Sequence, residues 1–400
     1  MRTQRGATLT LMFKVLTYNN ISTAGLERLP RDKYEVASEI QHPDAILLRS
    51  FKLHGVAIPD SVLCVGRAGA GVNNIPVADY SKKGIPVFNA PGANSNAVTE
   101  LTIAALLLAS RHICEAWAFA NSQAGTDEEI NTAVEKGKAN FAGSELSGKT
   151  LGVIGLGAIG VKVANAAIAL GMRVVGFDPS MTIDSAWQLS SSVEKALGVD
   201  DLLGKSDYVT LHVPLNDHTR NLINPSRIGL LRKGAVVVNF SRAGIVDEDA
   251  AVSALEAGKL RGYVCDFPSN KLLGKKGVVL LPHLGASTEE AEDNCAVMVA
   301  DQIRDYLEHG NIRNAVNFPE VVVPRTEDTQ SRLCVANANV PNMVSQISSA
   351  LGEANLNIID LLNKSRGEYA YTLVDLGDRV PQETLAKIRA INGVLSARVI

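Results

Sequence analysis

Residues 150–179 read TLGVIGLGAIGVKVANAAIALGMRVVGFDP. The opening TLGVI is a short, β-branched apolar run of the kind that forms a buried strand. Gly155, Gly157 and Gly160 follow in the spacing G-x-G-x-x-G. A helical apolar pattern then runs through Val161, Val163, Ala164, Ala167 and Leu170 and stops at Gly171, a helix C-cap residue. A second strand, 173–177, ends at Asp178, 18 residues beyond Gly160. Strand, glycine turn, helix, strand and acid in this order make the glycine motif specific for a dinucleotide. Gly155 permits the tight turn, Gly157 lets the backbone approach a pyrophosphate, and Gly160 lets the helix lie close to the strand. The pyrophosphate sits on the unpaired N–H groups and positive end of the helix. Asp178 accepts hydrogen bonds from the ribose hydroxyls and repels a 2′-phosphate, so the pattern points to NAD rather than NADP.

The same alternation extends in both directions. Toward the N-terminus, strands are expected at 13–16, 45–48, 62–65 and 85–88, each leaving the sheet through polar or glycine residues. In open α/β sheets ligands bind beyond the carboxyl ends of the strands, so this region has a site face of its own. The apolar run 97–113 is a long helix that reads as a connector between domains. Further strands are expected at 208–213, 235–240, 263–266 and 278–281, then a second long helix at 293–309. Segment 314–324, NAVNFPEVVVP, has the prolines and extended character of a linker. The last 70 residues read strand, helix, strand, strand, helix, strand. That βαββαβ order is the ferredoxin-like pattern, and a core this small is commonly completed by dimerisation. The fold class is therefore α/β, with two doubly wound, Rossmann-like or flavodoxin-like domains and a C-terminal ferredoxin-like domain.

The 400 residues carry a formal net charge of −3, with 46% hydrophobic and 20% charged residues. This is ordinary globular composition, with no basic excess that would mark a nucleic-acid or membrane partner. Five scattered cysteines without a CxxC pair indicate neither a disulfide framework nor a zinc site, and no metal is expected. No apolar run reaches membrane-spanning length, and a reducing cytoplasm fits. The first twelve residues, MRTQRGATLTLM, have too short an apolar core for a secretory signal and read as an extension, with Met12 as an alternative start.

A nicotinamide enzyme acting on a hydroxy acid needs a cation for the carboxylate and a base for the hydroxyl proton, while the cofactor carries the redox chemistry. Arg242 lies in NFSRAGIVDEDA just past the strand at 235–240, and its planar fork suits a carboxylate. The competing reading is a surface arginine paired with Asp247 or Glu248. His283 lies in LLPHLGAST just past the strand at 278–281, with Pro282 and Gly285 setting the turn, and is placed to accept a proton. His212, at the end of another strand in HVPL, is expected to line the cofactor. Asp266, which ends YVCD, is expected to bond the nicotinamide carboxamide, to shape the site, or to serve as a structural cap. Arg49, Ser50 and Lys52, together with Asn94, are candidates to grip an anionic substrate tail, against a reading as solvated loop residues.

GRAGAGVNNI (66–75), GIPVFNAPGANSNAVTEL (84–101), GVIGLGAIG (152–160), NFSRAGIVDEDA (239–250) and PHLGASTEEAEDNCA (282–296) together resemble the D-2-hydroxyacid dehydrogenase family, over about residues 13–400. The resemblance implies a split first domain, 13–95 plus 287–318, that binds substrate. It further implies an NAD-binding domain at 96–286, a linker at 319–330, a regulatory domain at 331–400, and a homodimer or homotetramer. It assigns carboxylate binding to Arg242 and proton transfer to His283. Ala158, Ile159, Asp178, Phe240, Ser241, Arg242, Asp266, His283, Gly285 and Ala286 fall on its cofactor-contact positions, beside His212 and Pro214, and Arg49 and Asn94 on substrate positions. The implied reaction is NAD-dependent oxidation of 3-phospho-D-glycerate to 3-phosphohydroxypyruvate, the first step of L-serine synthesis. The alternatives are a glyoxylate, glycerate or lactate dehydrogenase, or an NAD-sensing scaffold without catalysis.

One departure from the family matters. The family carries a glutamate a few residues after the aspartate matching Asp266, where it orients the histidine. Here the run is DFPSNKLLGKKG, and Asn270 stands about where the glutamate would be. A carboxylate partner raises the basicity of a histidine and fixes its tautomer. Either Asp266 substitutes, or His283 is less basic and the pH optimum is set differently. The last domain resembles an ACT domain, which binds amino acids at a dimer interface. Asn337, Asn339 and Asn357 stand at the matching polar positions, Asn337 where a histidine is common, so L-serine is the implied effector, against a purely dimerising role.

Overall fold

The computed structural model describes residues 12–400. Apart from Met12, the extension expected at the N-terminus lies outside the described residues. The chain forms two compact units, one of Met1–Asn94 with Glu289–Ile400 and the other of Ser95–Thr288.

The second unit is built on a seven-stranded parallel sheet. Its order is Val278–Leu280, Leu260–Cys265, Ala235–Asn239, Tyr208–Leu211, Thr150–Ile154, Arg173–Phe177, Glu194–Lys195. The winding reverses between Thr150–Ile154 and Tyr208–Leu211, the switch point of a doubly wound sheet. The three central strands, Thr150–Ile154, Tyr208–Leu211 and Ala235–Asn239, are buried along their whole length, as parallel strands covered on both faces must be. Val236 and Val238 enter the core on one face with Leu151, Val153 and Ala164. Ala235 and Val237 enter the core on the other face with Val209 and Leu211. The helix expected as a connector runs Ser95–Arg111 and is part of this unit: Val98, Ala105, Leu106 and Ala109 pack into the same core as Leu151 and Val153. The edge strand Glu194–Lys195 has two exposed residues and no apolar pattern to announce it.

The first unit opens with a parallel sheet in the order Tyr34–Ala37, Phe13–Tyr18, Ala45–Leu48, Cys64–Arg67, Val87–Phe88. This is the flavodoxin-like order. The strand Tyr34–Ala37 was not expected from YEVA, a short edge segment with one buried residue. The strand expected at 62–65 lies at Cys64–Arg67, which places Gly66 inside it. A Cβ on Gly66 would lie 2.5 Å from Val299 Cγ1 and 2.7 Å from Ile303 Cδ1, so this strand glycine is where the long helix Glu289–His309 presses on the sheet. That helix begins four residues before the expected start, because Glu289, Glu290 and Glu292 favour the positive end of the helix but carry no apolar signal. The segment expected as a linker is packed rather than loose. Ala315, Phe318, Val321 and Val323 are buried in the core beneath the long helix, and Ile312 and Val321 exchange main-chain hydrogen bonds of 2.8 and 3.0 Å.

The same unit ends in a four-stranded antiparallel sheet in the order Ile358–Arg366, Tyr369–Leu376, Ser331–Ala338, Val394–Val399, with helices Met343–Glu353 and Gln382–Arg389. This is the βαββαβ, ferredoxin-like arrangement. One sheet face packs Leu333, Val335 and Val374 against Ile347, Leu351, Leu385 and Ile388 of the two helices. The other face sends Cys334, Ala336, Tyr371 and Leu373 into the core that holds Phe88, Tyr306, Leu307 and Phe318. Arg332, fully buried, bridges the two parts. Its Nε and Nη2 donate to the Asp375 carboxylate at 2.6 and 2.7 Å, and its Nη1 donates to the His309 carbonyl at 2.8 Å, at the end of the long helix. Among the described residues no single helix is long and apolar enough to cross a membrane, and no group of His, Cys, Asp and Glu is placed to hold a metal ion.

Candidate active site

All strands of the second-unit sheet run parallel, so their carboxyl ends form one edge. Along that edge the strand order sets out His283, Asp266, Arg242, His212, the Gly155–Gly157 turn and Asp178 in sequence. Asp178 and Arg242 are three strands apart, roughly 14 Å at a strand spacing of about 4.8 Å. The sheet therefore gathers residues from six separate stretches of chain onto one edge.

The glycine turn fits a dinucleotide. Gly155 has φ +92°, and a Cβ there would lie 2.4 Å from the His212 carbonyl oxygen. A Cβ on Gly160 would lie 1.9 Å from the Gly155 carbonyl oxygen, so the helix can approach the strand only with glycine at this position. Gly157 differs: a Cβ there would meet nothing within 4 Å, and no side chain caps the helix Ala158–Ala169. That leaves open space and uncapped N–H groups at the positive end of the helix, which is what a pyrophosphate requires. Ala158 and Ile159 form its first turn. Asp178 is already oriented, its carboxylate accepting from Leu156 N and Ser180 N, both at 2.8 Å.

At the other end of the edge the turn after Ala235–Asn239 is held by side-chain bonds. Asn239 accepts from Ser241 N at 3.2 Å and donates to the Arg242 carbonyl at 2.9 Å. Phe240 is buried beneath this turn. The Arg242 side chain is exposed, and its Nη1 donates to the Ser241 carbonyl at 2.6 Å. It does not take up the surface pairing considered for it. Asp247 caps the next helix by accepting from Ala250 N, and Glu248 accepts from Ser269 Oγ. Among the described residues Arg242 has no ion-pair partner.

His283 has φ +50°, the left-handed region that a non-glycine residue enters at a cost. Its main-chain N–H is directed to the Asp266 and Leu281 carbonyls at 3.1 and 3.2 Å, and its ring stands edge-on to Phe267 at 5.2 Å. Asp266 is 1% exposed; one carboxylate oxygen accepts from Gly285 N at 3.2 Å, and Oδ1 is buried without a partner. Burial pushes its carboxyl up, against the Gly285 N–H and the nearby charges of His283 and Arg242, which pull it down. Asn270 is exposed on the following loop. His212 bonds Thr210 Oγ1 at 3.0 Å, and burial pushes its imidazole down to about 4, so it stays neutral at physiological pH. Pro214 follows it in the same exit loop, and its carbonyl accepts from Thr219 Oγ1. Ala286 lies in the turn after His283, closed by Ser287 N to the Leu284 carbonyl at 3.0 Å.

In the first unit, Arg49, Ser50, Lys52 and Asn94 all follow carboxyl strand ends of one parallel sheet. Asn19 accepts from Ser50 N and Phe51 N at 3.1 and 2.6 Å, which fixes the turn after Ala45–Leu48. Arg49 is paired with Glu292 at 2.6 Å, both side chains partly exposed. Arg67 donates from Nε to the Arg49 carbonyl at 3.0 Å, so two arginines meet at this edge. Arg67, Glu292 and Phe267 were not singled out in the sequence. Each lies in or beside a motif that was, but its neighbour is distant in sequence and only packing reveals it. The three asparagines of the last domain are not together in one chain. Asn337 is buried at the Ala338–Tyr369 end of the sheet, and exposed Asn339 donates to the Gly367 carbonyl beside it. Asn357 precedes the opposite end, where Ile358 pairs with Leu376. Seven residue steps of strand separate the two ends, roughly 24 Å.

Residues 103–285 match the family model described as D-isomer specific 2-hydroxyacid dehydrogenase, NAD binding domain. A D-3-phosphoglycerate dehydrogenase of Methanocaldococcus jannaschii is 36% identical over 360 residues, which are 86% of this chain and 64% of the relative. One from Haemophilus influenzae is 33% identical over 350 residues, 85% of this chain and 81% of the relative. The crystal structure of a glyoxylate reductase from Paecilomyes thermophila superposes with a TM-score of 0.62 at 26% identity, covering 76% of this chain and 98% of its own. The chain thus spans 64% of the length of the M. jannaschii relative and 56% of a D-3-phosphoglycerate dehydrogenase from Synechocystis. A glycine turn open at a helix N-terminus, an acid at the end of the next strand, and this degree of identity over most of a relative's length agree: the chain belongs to the D-isomer specific 2-hydroxyacid dehydrogenase family, and its second unit carries that family's NAD-binding domain.

Proposed function

We propose that this protein is an NAD-dependent dehydrogenase that oxidises 3-phospho-D-glycerate to 3-phosphohydroxypyruvate, the first step of L-serine synthesis, in the cytoplasm. The observation that carries the reading is an arginine without an ion-pair partner among the described residues, on the same strand-end edge as a histidine held in a left-handed turn and a dinucleotide turn. Identity to several D-3-phosphoglycerate dehydrogenases supports the substrate. In this reading 96–286 bind NAD, 13–95 with 287–318 bind substrate, 319–330 link, and 331–400 regulate.

When bound, NAD supplies the hydride acceptor. Asp178 holds the ribose and the N-terminus of the helix Ala158–Ala169 holds the pyrophosphate. Arg242 binds the substrate carboxylate, where its fixed charge also orients the C2 hydroxyl. His283 takes the hydroxyl proton as the carbonyl forms. Asp266, whose carboxyl burial pushes up while the nearby charges of His283 and Arg242 act against burial, stands in for the glutamate that the family uses. Arg49, Ser50, Lys52 and Asn94 grip the phosphate, Arg49 exchanging Glu292 for the ligand.

A substrate panel tests this. We expect kcat/KM for phosphohydroxypyruvate with NADH to exceed that for glyoxylate, hydroxypyruvate or pyruvate by about 10³-fold, because sites built to pair a charged group discriminate strongly. Glyoxylate as the best substrate would move the protein to the glyoxylate reductase type, and absence of turnover would leave an NAD-sensing scaffold. Asp178→Ala is expected to lower the NAD to NADP ratio of kcat/KM by about tenfold or more, from loss of charge-assisted hydrogen bonds to the ribose. A ratio unchanged in that variant removes Asp178 from the cofactor site. The protein acts as a homodimer or homotetramer in this reading. Because Asn339 and Asn357 lie at opposite sheet ends, an L-serine site drawing on both needs a second copy, and the panel is run with and without serine.

A further inference from the structure

The first unit contains a cleft of about 530 Å³. One wall comes from 59–63 and 83–85, the loops that enter the strands Cys64–Arg67 and Val87–Phe88. These are the amino ends of the sheet, opposite the edge that carries Arg49 and Asn94. The other wall is the last strand, Val394–Val399, with Arg389 of the preceding helix and Tyr306 of the long helix. Ser396 Oγ donates to the Gly84 carbonyl at 3.1 Å and ties the two walls together.

The charge in this cleft is unbalanced. Lys83, Arg389 and Arg398 line it with a single acid, Asp60. None of the three cations makes an ion pair among the described residues. Arg398 is the most enclosed. Its terminal nitrogens donate to the Tyr306 and Leu307 carbonyls, and its guanidinium lies 4.5 Å from the centre of the Tyr306 ring. Its Nε is buried with no hydrogen-bond partner among the described residues. Arg398 as a whole is half-buried, and last-turn carbonyls and an aromatic face favour its cation but carry only partial charge. Arg389 is fixed through Nε to the Ala397 carbonyl at 2.8 Å, and its terminal nitrogens have no partner among the described residues.

We propose that this cleft binds a small doubly charged oxyanion, a phosphate or a dicarboxylate, held by Arg389, Arg398 and Lys83. The volume lies within the range of small-molecule sites. A ligand here touches both the first sheet and the C-terminal sheet, so it favours the arrangement in which the two are packed together.

The test is calorimetric titration of the full chain with inorganic phosphate and, separately, with succinate, at ionic strength held constant with chloride. Saturable binding of at least one probe is expected, weakened about tenfold or more in Arg389→Ala and in Lys83→Ala, as loss of a charge-assisted bond requires. Arg242→Ala, at the strand-end site, is expected to bind the probe as the unaltered protein does. Arg398 is left intact because it also caps the long helix. Phosphate alone or succinate alone names the anion class. Binding that survives both cleft variants, binding abolished by Arg242→Ala, or no binding of either probe overturns the proposal.

Discussion

Replacing His283 with asparagine is expected to lower kcat by about 10²–10⁴-fold, the usual contribution of a positioned proton acceptor, with NAD affinity changed by no more than about threefold. Asparagine is chosen because His283 has φ +50°, a conformation asparagine tolerates better than alanine, so the turn through Gly285 keeps its shape. The loss then reports the imidazole and not the loop. His212 cannot take over. Burial pushes it down to about 4, so it does not gain a proton in the physiological range. Asp266 is the positioning residue in this scheme. Burial raises its carboxyl, while Gly285 N–H, His283 and Arg242 act against burial by favouring the charged form. Asp266→Asn is expected to cost less rate than His283→Asn and to move the pH profile of kcat/KM toward lower pH, since the imidazolium loses its negative neighbour. Steady-state kinetics across pH, with NADH binding followed by fluorescence, measure both. A His283→Asn protein with unaltered kcat would remove the proton-transfer role, and an unmoved profile in Asp266→Asn would remove the pairing.

Arg332→Met is expected to destabilise the first unit by about 3–5 kcal/mol, because it leaves the Asp375 carboxylate buried without its cation. Arg332 is 0% exposed and Asp375 2%, and the two-pronged contact at 2.6 and 2.7 Å satisfies both carboxylate oxygens. The same change removes the Nη1 bond to the His309 carbonyl, so the long helix loses a partner for its last turn. Adding Asp375→Leu to Arg332→Met is expected to recover most of the loss, since a matched apolar pair avoids the buried charge altogether. Urea unfolding of the single and double variants, compared at equal m-value, measures this. A single variant as stable as the parent, or a double variant no better than the single, would show that the pair is not what holds the two sheets of this unit. The exposed Lys271–Asp249 pair, at 2.6 Å, is a useful control, because solvent screening leaves such pairs little influence.

Much of the second unit was legible in the chain. Thr150–Ile154 and Arg173–Phe177 lie where their apolar runs placed them, because a parallel strand covered on both faces needs a continuous apolar run and little else supplies one. The edge strands Tyr34–Ala37 and Glu194–Lys195 were invisible because they are short and partly exposed, so burial leaves no imprint on their composition. The run 314–324 looked like a linker because prolines and extended residues are common to linkers and to packed extended segments. Only the burial of Phe318, Val321 and Val323 separates the two.

The site divides along the same line. Gly155, Gly157, Gly160 and Asp178 are a local motif that depends on neighbours a few residues away, and spacing alone pointed to a dinucleotide-binding domain, which the family match bears out. Arg242 and His283 needed one further step, their position at strand ends, which follows from the same alternation of strands and helices. The partners of these residues were a different matter. That Arg242 has no ion-pair partner among the described residues, that Glu292 holds Arg49, that Phe267 stands against His283, and that Asp266 lies buried beside His283 are consequences of packing between segments far apart in the chain. So is the separation of Asn339 from Asn357 at opposite ends of the last sheet, which antiparallel register sets and no spacing in sequence reveals. Sequence determined which reactive residue types and backbone turns this chain carries, because these are local properties. Tertiary structure decided which charges meet and which stay unpaired, because the energies that matter there depend on burial and on distances across the fold.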